Sequence, residues 1–406
     1  MNRSSNSADS AAASLPPAIT QAIEISTAAG LVYVSDCEPG ISRTLRRKTY
    51  IYMAPDNTRI TDRTELKRLA SLAIPPAYTQ VWICMHARGH LQATGYDARG
   101  RKQYRYHGEW RAVRDAVKFE RMVEFGEALP RLRRRLRRDL ARQGLPREKV
   151  LAVIVTLLDT THIRVGNEEY ARTNKSFGLT TLRDRHVQFV RDGRAMFKFR
   201  GKSGAVHEIL LNDKRLARIV RSCQELPGQQ LFQYVGDDGA SHPIDSDQVN
   251  VYLKEAMGSD FTAKDFRTWG ATLHAIALMA RTPLPSNARE RELKMHITTA
   301  VKEVAKELRN TPAVCRKSYI NPVVFTAWRS GSLHKIVRQT VQPNSRQAEA
   351  VALRFLRSAS ISEAHIPAKR IRKRAVERAT KRLVKALEQA GQLDGMLESS
   401  DAPPAE

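Results

Sequence analysis

No stretch of this 406-residue sequence supplies the roughly eighteen uninterrupted apolar residues that a membrane-spanning helix requires. The most apolar run, VLAVIVTLL, stops at Asp159 and reads as a core helix. Cysteine is scarce: Cys37, Cys84, Cys223 and Cys315 are scattered without a C-x-x-C pair, which argues against a disulfide framework and a zinc knuckle. A G-x-x-x-x-G-K phosphate loop is missing too, so nucleotide binding is not indicated. His86 and His90 stand four apart, but they flank Arg88-Gly89 behind a strand-like VWICM. Strand geometry does not put both rings on one side of a helix, and no metal site is read there. Acidic residues are outnumbered, 42 Asp plus Glu against 68 Lys plus Arg, a formal net charge of +26. Such a chain repels itself without a polyanionic partner; nucleic acid is the first candidate and an acidic membrane surface the second.

The opening MNRSSNSADSAAASLPP is polar, of low complexity and without an apolar centre. It reads as part of a disordered arm over residues 1–29 rather than as an export signal, which points to a protein kept inside the cell. From 30 to 110 the texture is strand and turn: LVYVSD, KTYIYM, QVWICM, HLQATGYD and KQYRYH, bounded by Gly, Pro and Asp, with one helix at TELKRLASLA behind an Asp62 or Thr cap. A small antiparallel sheet domain is expected there.

Helical patterns dominate from 111 to 345. In RLRRRLRRDLAR, Leu132, Leu136 and Leu140 recur four apart, giving one apolar stripe on an arginine-coated helix whose crowded like charges favour a phosphate-facing role. Order breaks between 180 and 211, where HVQFV, MFKFRG and VHEILL are joined by RDGR and GKSG; this predicts a three-stranded antiparallel sheet with two tight turns. Helices resume with DSDQVNVYLKEAM, TAKDFRTWGATLHAIALMAR and ARERELKMHITTAVKEVAKELR. Residues 346–406 form a basic extension in which Val376, Ala379, Leu383, Val384 and Leu387 share one helical face after KRIRKR, before a polar tail. The expected class is α+β: a sheet domain followed by a larger, mainly α domain that carries the three-stranded sheet.

The segment NTPAVCRKSYIN sets Tyr319 directly behind Arg316 and Lys317 and before Pro322. An arbitrary tyrosine in this position is a packed aromatic. A phenol with an ordinary pKa near ~10 serves as a nucleophile only where cations stabilise the charge developing on it and on its electrophile. Four segments, HIRVGNEEYAR, FRGKSG, KDFRTWGAT and NTPAVCRKSY, preceded by GYDARGRKQYRYH, carry such groups in order. Together they resemble the type IB DNA topoisomerases of the compact poxvirus-like and bacterial branch, over roughly residues 30 to 335.

That resemblance implies a topoisomerase and tyrosine-recombinase type of fold, with Tyr319 attacking a DNA phosphodiester and becoming joined to the 3′ phosphate. Arg164 and Arg267 would clamp the phosphorane, and planar guanidinium groups suit that task. Gly270 and Ala271, small neighbours of Arg267, are expected to leave room for the DNA backbone. Lys202, in the GKSG turn, would deliver a proton to the departing 5′ oxygen. Asn310 departs from the pattern, since many relatives carry histidine nine residues before the tyrosine; its amide still donates a hydrogen bond but cannot become cationic. Gln103, Tyr104 and Tyr170 match positions that touch DNA. The implied partner is duplex DNA, preferably supercoiled, with a monomer acting without metal, nucleotide or other cofactor in the cytoplasm at the nucleoid. A tyrosine recombinase and a non-catalytic duplex-binding protein stay open as alternatives.

Overall fold

The computed structural model describes residues 17–363, apart from 48, 99, 286, 288 and 338–344, together with 380 and 382–386. The chain divides into two compact units, one over Met1–Lys118 with His365–Glu406, the other over Phe119–Ala364.

In the first unit, strands form where short runs pair on both sides. Strands β1 (Ile41–Arg46), β2 (Thr49–Met53), β3 (Thr79–Ile83), β4 (Leu91–Tyr96) and β5 (Lys102–Tyr106) make an antiparallel sheet ordered β2-β1-β3-β4-β5. Four of the expected runs are present. LVYVSD is not a strand and contributes an isolated bridge between Val32 and Gly89. ISRTLR, which lacks a buried alternation beyond Ile41, is strand β1 because β2 and β3 supply its partners. Helix α2 (Arg63–Ser71) starts as its sequence requires, with the Asp62 carboxylate accepting the Glu65 N–H at 2.7 Å. Leu69 from this helix packs with Ile41, Val81, Ile83 and Ala93. The arm expected to be disordered through residue 29 contains helix α1 (Pro17–Ala28), whose Ile19 and Ile23 are buried; apolar side chains spaced four apart outweigh the polar composition before them. The earlier part of the arm lies outside the described residues.

The second unit is mainly helical, as expected. Helix α3 (Gly108–Leu140) crosses the boundary foreseen at residue 110. It is followed by α4 (Arg147–Thr161), α5 (Glu168–Asn174), α6 (Lys214–Gln224), α7 (Ser246–Met257), α8 (Ala263–Arg281), α9 (Glu290–Glu307), α10 (Pro312–Ser318), α11 (Val323–Arg329), α12 (Ser332–Ile336) and α13 (Arg346–Glu363). The three-stranded sheet is present as β6 (Val187–Phe189), β7 (Ala195–Arg200) and β8 (Val206–Leu211), antiparallel in that order, and a small hairpin pairs β9 (Gln233–Val235) with β10 (Ser241–Pro243). Helix α4 runs through the core, with Val150 to Val155, Leu157 and Leu158 all buried.

The arginine-coated part of α3 behaves differently from the expectation. Leu132 and Leu136 are buried as the stripe requires, but several arginines are committed to carboxylates. Arg133 pairs with Asp159 at 2.9 Å and with Glu349 at 2.6 Å, joining three helices. Asp139 is fully buried and meets Arg135 at 2.5 Å, Arg138 at 3.3 Å and Arg142 at 3.5 Å, while the Tyr252 hydroxyl donates to it at 2.8 Å. Part of the coat is therefore internal glue, and the exposed remainder, including Arg131, Arg134 and Arg137, is what faces outward. Glu349 belongs to α13, so the first stretch of the expected C-terminal extension is part of the second unit. Leu383 and Val384 are buried in the first unit, where Arg382 pairs with Glu38 at 3.2 Å and donates to the Tyr33 carbonyl. Val376, Ala379, Leu387 and KRIRKR lie outside the described residues.

Replacing Asp139 by alanine removes the acceptor of a buried tyrosine hydroxyl and the counter-charge of three arginines. It should cost about 1–3 kcal/mol, read as a lower urea midpoint at unchanged slope. An unchanged midpoint would show that the cluster is not structural.

Candidate active site

The route to the site begins where α4 stops. His162 adopts a left-handed conformation (φ 54°, ψ 23°) and its N–H caps Leu158, so the chain leaves the buried helix abruptly. Arg164 follows in an extended segment whose backbone is held by pairing, its carbonyl accepting the Leu179 N–H at 2.9 Å. A rigid apolar helix thus leads directly into a cation.

Arg267 lies on α8 and is 4% exposed. Its Nη2 donates to the Leu308 carbonyl at 2.9 Å and its Nη1 to the His162 carbonyl, while the buried Nε meets no hydrogen-bond partner. Both anchors are neutral dipoles. Among the described residues no carboxylate pairs with Arg267 or Arg164, so the positive charge is held in place without being cancelled. The Arg267 guanidinium carbon lies 5.1 Å from the centroid of the Tyr319 ring, an attractive cation–π contact. Burial lowers the Arg164 guanidinium from the ordinary arginine range, the neighbouring Arg267 charge lowers it further, and the Tyr319 side chain beside it works in the opposite sense.

Asn310 enters from the turn after α9. Arg309 is left-handed (φ 50°), and the Asn310 N–H returns to the Ala305 carbonyl at 2.9 Å. The Arg164 Nη2 donates to the Asn310 side chain at 2.8 Å. A guanidinium can only donate, which makes the receiving atom Oδ1 and turns Nδ2 the other way. That Nδ2 is buried with no hydrogen-bond partner, a donor available to an anionic oxygen at the site.

Tyr319 caps α10, which starts on Thr311 with Pro312 in its first turn. Its backbone is held at both ends: its N–H reaches the Cys315 carbonyl at 3.0 Å, and its own carbonyl accepts the Thr272 hydroxyl at 3.2 Å. The side chain is half-buried. Cys315, one helical turn earlier, is a rival nucleophile by type only. It is fully buried, and burial pushes its thiol up to about 11 despite the opposing Arg267 and Arg164 charges.

Four sequence-derived residues, Arg164, Arg267, Asn310 and Tyr319, thus converge. Lys202 is carried separately, exposed at the tip of the β7–β8 hairpin, where Ser203 (φ 59°) and Gly204 (φ 79°) make the turn. Tyr170 is 41% exposed on α5. Gln103 and Tyr104 lie in the first unit on edge strand β5; the Gln103 amide donates to Asp97 at 3.2 Å, and the Tyr104 ring stacks with Tyr106. Among the described residues no group of three or more His, Cys, Asp or Glu is arranged to hold a metal. His90 accepts the Val34 N–H at 3.1 Å and stacks on Tyr33, a structural role.

One expectation about α8 is corrected. Gly270 does not open a path for the DNA backbone, because a Cβ there would lie 2.1 Å from the His162 Nε2. The space belongs to the His162 imidazole, which is buried and whose proton affinity burial lowers to about 4. His162 and Thr272 were not legible as site residues, since nothing in their local sequence marks a carbonyl that secures a distant side chain or a hydroxyl that secures a distant backbone.

Residues 107–338 match the family model described as the catalytic core of eukaryotic DNA topoisomerase I, and residues 49–97 match the N-terminal domain of bacterial DNA topoisomerase IB. The chain is 34% identical over 286 residues to DNA topoisomerase 1B of Acanthamoeba polyphaga mimivirus, covering 69% of this chain and 85% of the relative. It is 22% identical over 273 residues to DNA topoisomerase 1B of Vaccinia virus (strain Copenhagen), covering 65% and 80%.

Gly270→Ala should force the His162 ring, and with it the carbonyl that holds Arg267, out of position. We expect destabilisation of about 1–3 kcal/mol and loss of activity, both partly recovered in the Gly270→Ala/His162→Ala pair. Strict additivity in the double-mutant cycle would overturn the contact.

Proposed function

The chain belongs to the type IB DNA topoisomerases, and from that premise we propose that it relaxes supercoiled duplex DNA through a transient 3′-phosphotyrosyl bond formed by Tyr319. The observation that carries this reading is the pair of unneutralised guanidinium groups, Arg164 and Arg267, beside a half-buried phenol. Two such cations hold a phosphodiester and stabilise the extra charge on the non-bridging oxygens as phosphorus becomes five-coordinate.

In this mechanism the Tyr319 oxygen attacks phosphorus, its O–P bond forms as the bond from phosphorus to the 5′ oxygen breaks, and the phenolic proton is released. The departing oxygen takes a proton from Lys202, so one proton leaves and one arrives. Asn310, oriented by Arg164, donates through Nδ2 to a non-bridging oxygen. The free strand end then swivels, and the reverse sequence reseals it. The phosphotyrosyl bond retains the energy of the broken linkage, which is why the cycle requires no ATP, and in this reading Arg164 and Arg267 carry the phosphate charge that a metal ion would otherwise stabilise. A monomer suffices for the chemistry. Basic charge provides phosphate contacts that hold the duplex during rotation, and Gln103, Tyr104 and Tyr170 contribute contacts to bases and backbone. Such an enzyme works at the nucleoid in the cytoplasm; no described helix is long and apolar enough to cross a membrane.

Incubation with supercoiled plasmid in EDTA without ATP, followed by a detergent trap, should give relaxed circles and a DNA-linked peptide containing Tyr319. Tyr319→Phe should bind duplex as tightly and trap none. Relaxation only at a defined target site would indicate a recombinase, and a Tyr319→Phe variant that still traps DNA would remove the nucleophile assignment. Arg267→Lys should lower the single-turnover cleavage rate by about 10²- to 10³-fold, because an ammonium does not reproduce the fork that spans two carbonyls and the phosphate. A loss below fivefold would count against the clamp.

A further inference from the structure

His207 is an unexpected side chain for its surroundings. It lies on β8, paired across the ladder with Phe199, and its ring stacks on the Phe199 ring at 4.8 Å and 16°. It is 3% exposed, and neither ring nitrogen has a hydrogen-bond partner. A phenyl ring would fill that space without burying an unsatisfied donor and acceptor, so packing alone does not account for an imidazole.

What lies over the ring is the base of the Lys202 turn. A Cβ on Gly201 would sit 2.5 Å from the His207 Nε2, so the glycine backbone rests directly on that nitrogen. Gly201 is held on its other sides, its N–H donating to the Ala205 carbonyl at 2.8 Å and its carbonyl accepting the Ser176 hydroxyl at 3.1 Å. The following residue, Glu208, accepts Arg309 Nη2 on its carbonyl at 3.0 Å, which ties β8 to the residue before Asn310. His207 therefore stands between the hairpin that bears Lys202 and the loop that bears Asn310.

We infer that His207 is a positioning residue for Lys202: its buried ring seats the Gly201–Lys202 backbone, and its Nε2 accepts a hydrogen bond from that turn when the turn engages the cleaved phosphate. The inference rests on the proposed role of Lys202 as proton donor to the 5′ oxygen. Burial, with the nearby charges of Arg309, Arg164 and Arg267, lowers the proton affinity of the imidazole to about 4, so the ring is neutral near pH 7 and keeps an acceptor nitrogen.

The test compares single-turnover covalent trapping on an ordinary DNA strand and on one with sulfur in place of the 5′ bridging oxygen, a leaving group that departs without a proton. Lys202→Ala should be slowed about 100-fold or more on ordinary DNA and restored on the sulfur substrate. His207→Phe should show the same pattern, slowed about tenfold or more on ordinary DNA and restored by sulfur, with duplex affinity and melting temperature near those of the parent. Gly201→Ala, which displaces the ring without removing it, should repeat that pattern and serves if His207→Phe does not fold. Equal slowing on both substrates, or parental cleavage of ordinary DNA by His207→Phe, overturns the positioning role. A Lys202→Ala variant that sulfur does not restore overturns the proton-donor reading itself, and the inference falls with it.

Discussion

The site depends on keeping a guanidinium charged while it is buried. Desolvation penalises such a group, and the usual remedy, a carboxylate partner, would leave a neutral pair with little attraction for phosphate. The fold takes a different course at Arg267. Two backbone carbonyls, from His162 and Leu308, hold the side chain by dipoles and leave its net charge intact. Arginine suits this arrangement because its charge is delocalised, weakly hydrated and retained even when its environment lowers its proton affinity. Arg164 meets a side-chain amide instead of a carboxylate, with the same electrostatic result.

Helix α8 distributes this constraint to the rest of the site. Arg267 secures the ends of α4 and α9 through their carbonyls, Gly270 admits the His162 ring, and the Thr272 hydroxyl both donates to the Tyr319 carbonyl and accepts the Asn321 N–H at 3.0 Å. The helix is itself fixed by burial of Phe266, Trp269, Leu273 and Ile276 in the large core. Arg267 and the Tyr319 backbone are therefore held by one rigid element, while Arg164 is held by the segment that leaves α4 and by Asn310, so the arrangement is kept before substrate arrives. Lys202, the proposed proton donor, is placed differently. It sits at an exposed hairpin tip, suited to a group that engages DNA from outside the core.

Much of the fold was legible because its signals are local. The Asp62 cap, the alternating runs around RDGR and GKSG, and the stripe of Leu132 and Leu136 each announce an element within a few residues, and each is present. The misreadings share one cause. LVYVSD has strand composition but only a single bridge, whereas ISRTLR looks polar and is a strand because neighbours on both sides complete its ladder. The arginines of α3 look like a DNA-facing coat until Asp139, Asp159 and Glu349 are found among them, one from the same helix and two from others. Pairing partners distant in the chain leave no mark on the segment that receives them.

By itself the sequence determined the kinds of groups available: an excess of 26 positive charges that calls for a polyanion, and a tyrosine, two arginines, a lysine and an asparagine in motifs of recognisable order. Local chemistry dictates these, because charge and capping propensity belong to each residue wherever it lies. Only the tertiary structure decided that Arg267 is buried without a carboxylate, that Gly270 makes space for an imidazole, and that Asn310 presents its N–H rather than its oxygen. Burial, close approach and the choice of hydrogen-bond partner are relations between segments far apart in the chain, and they come into being when packing brings those segments together.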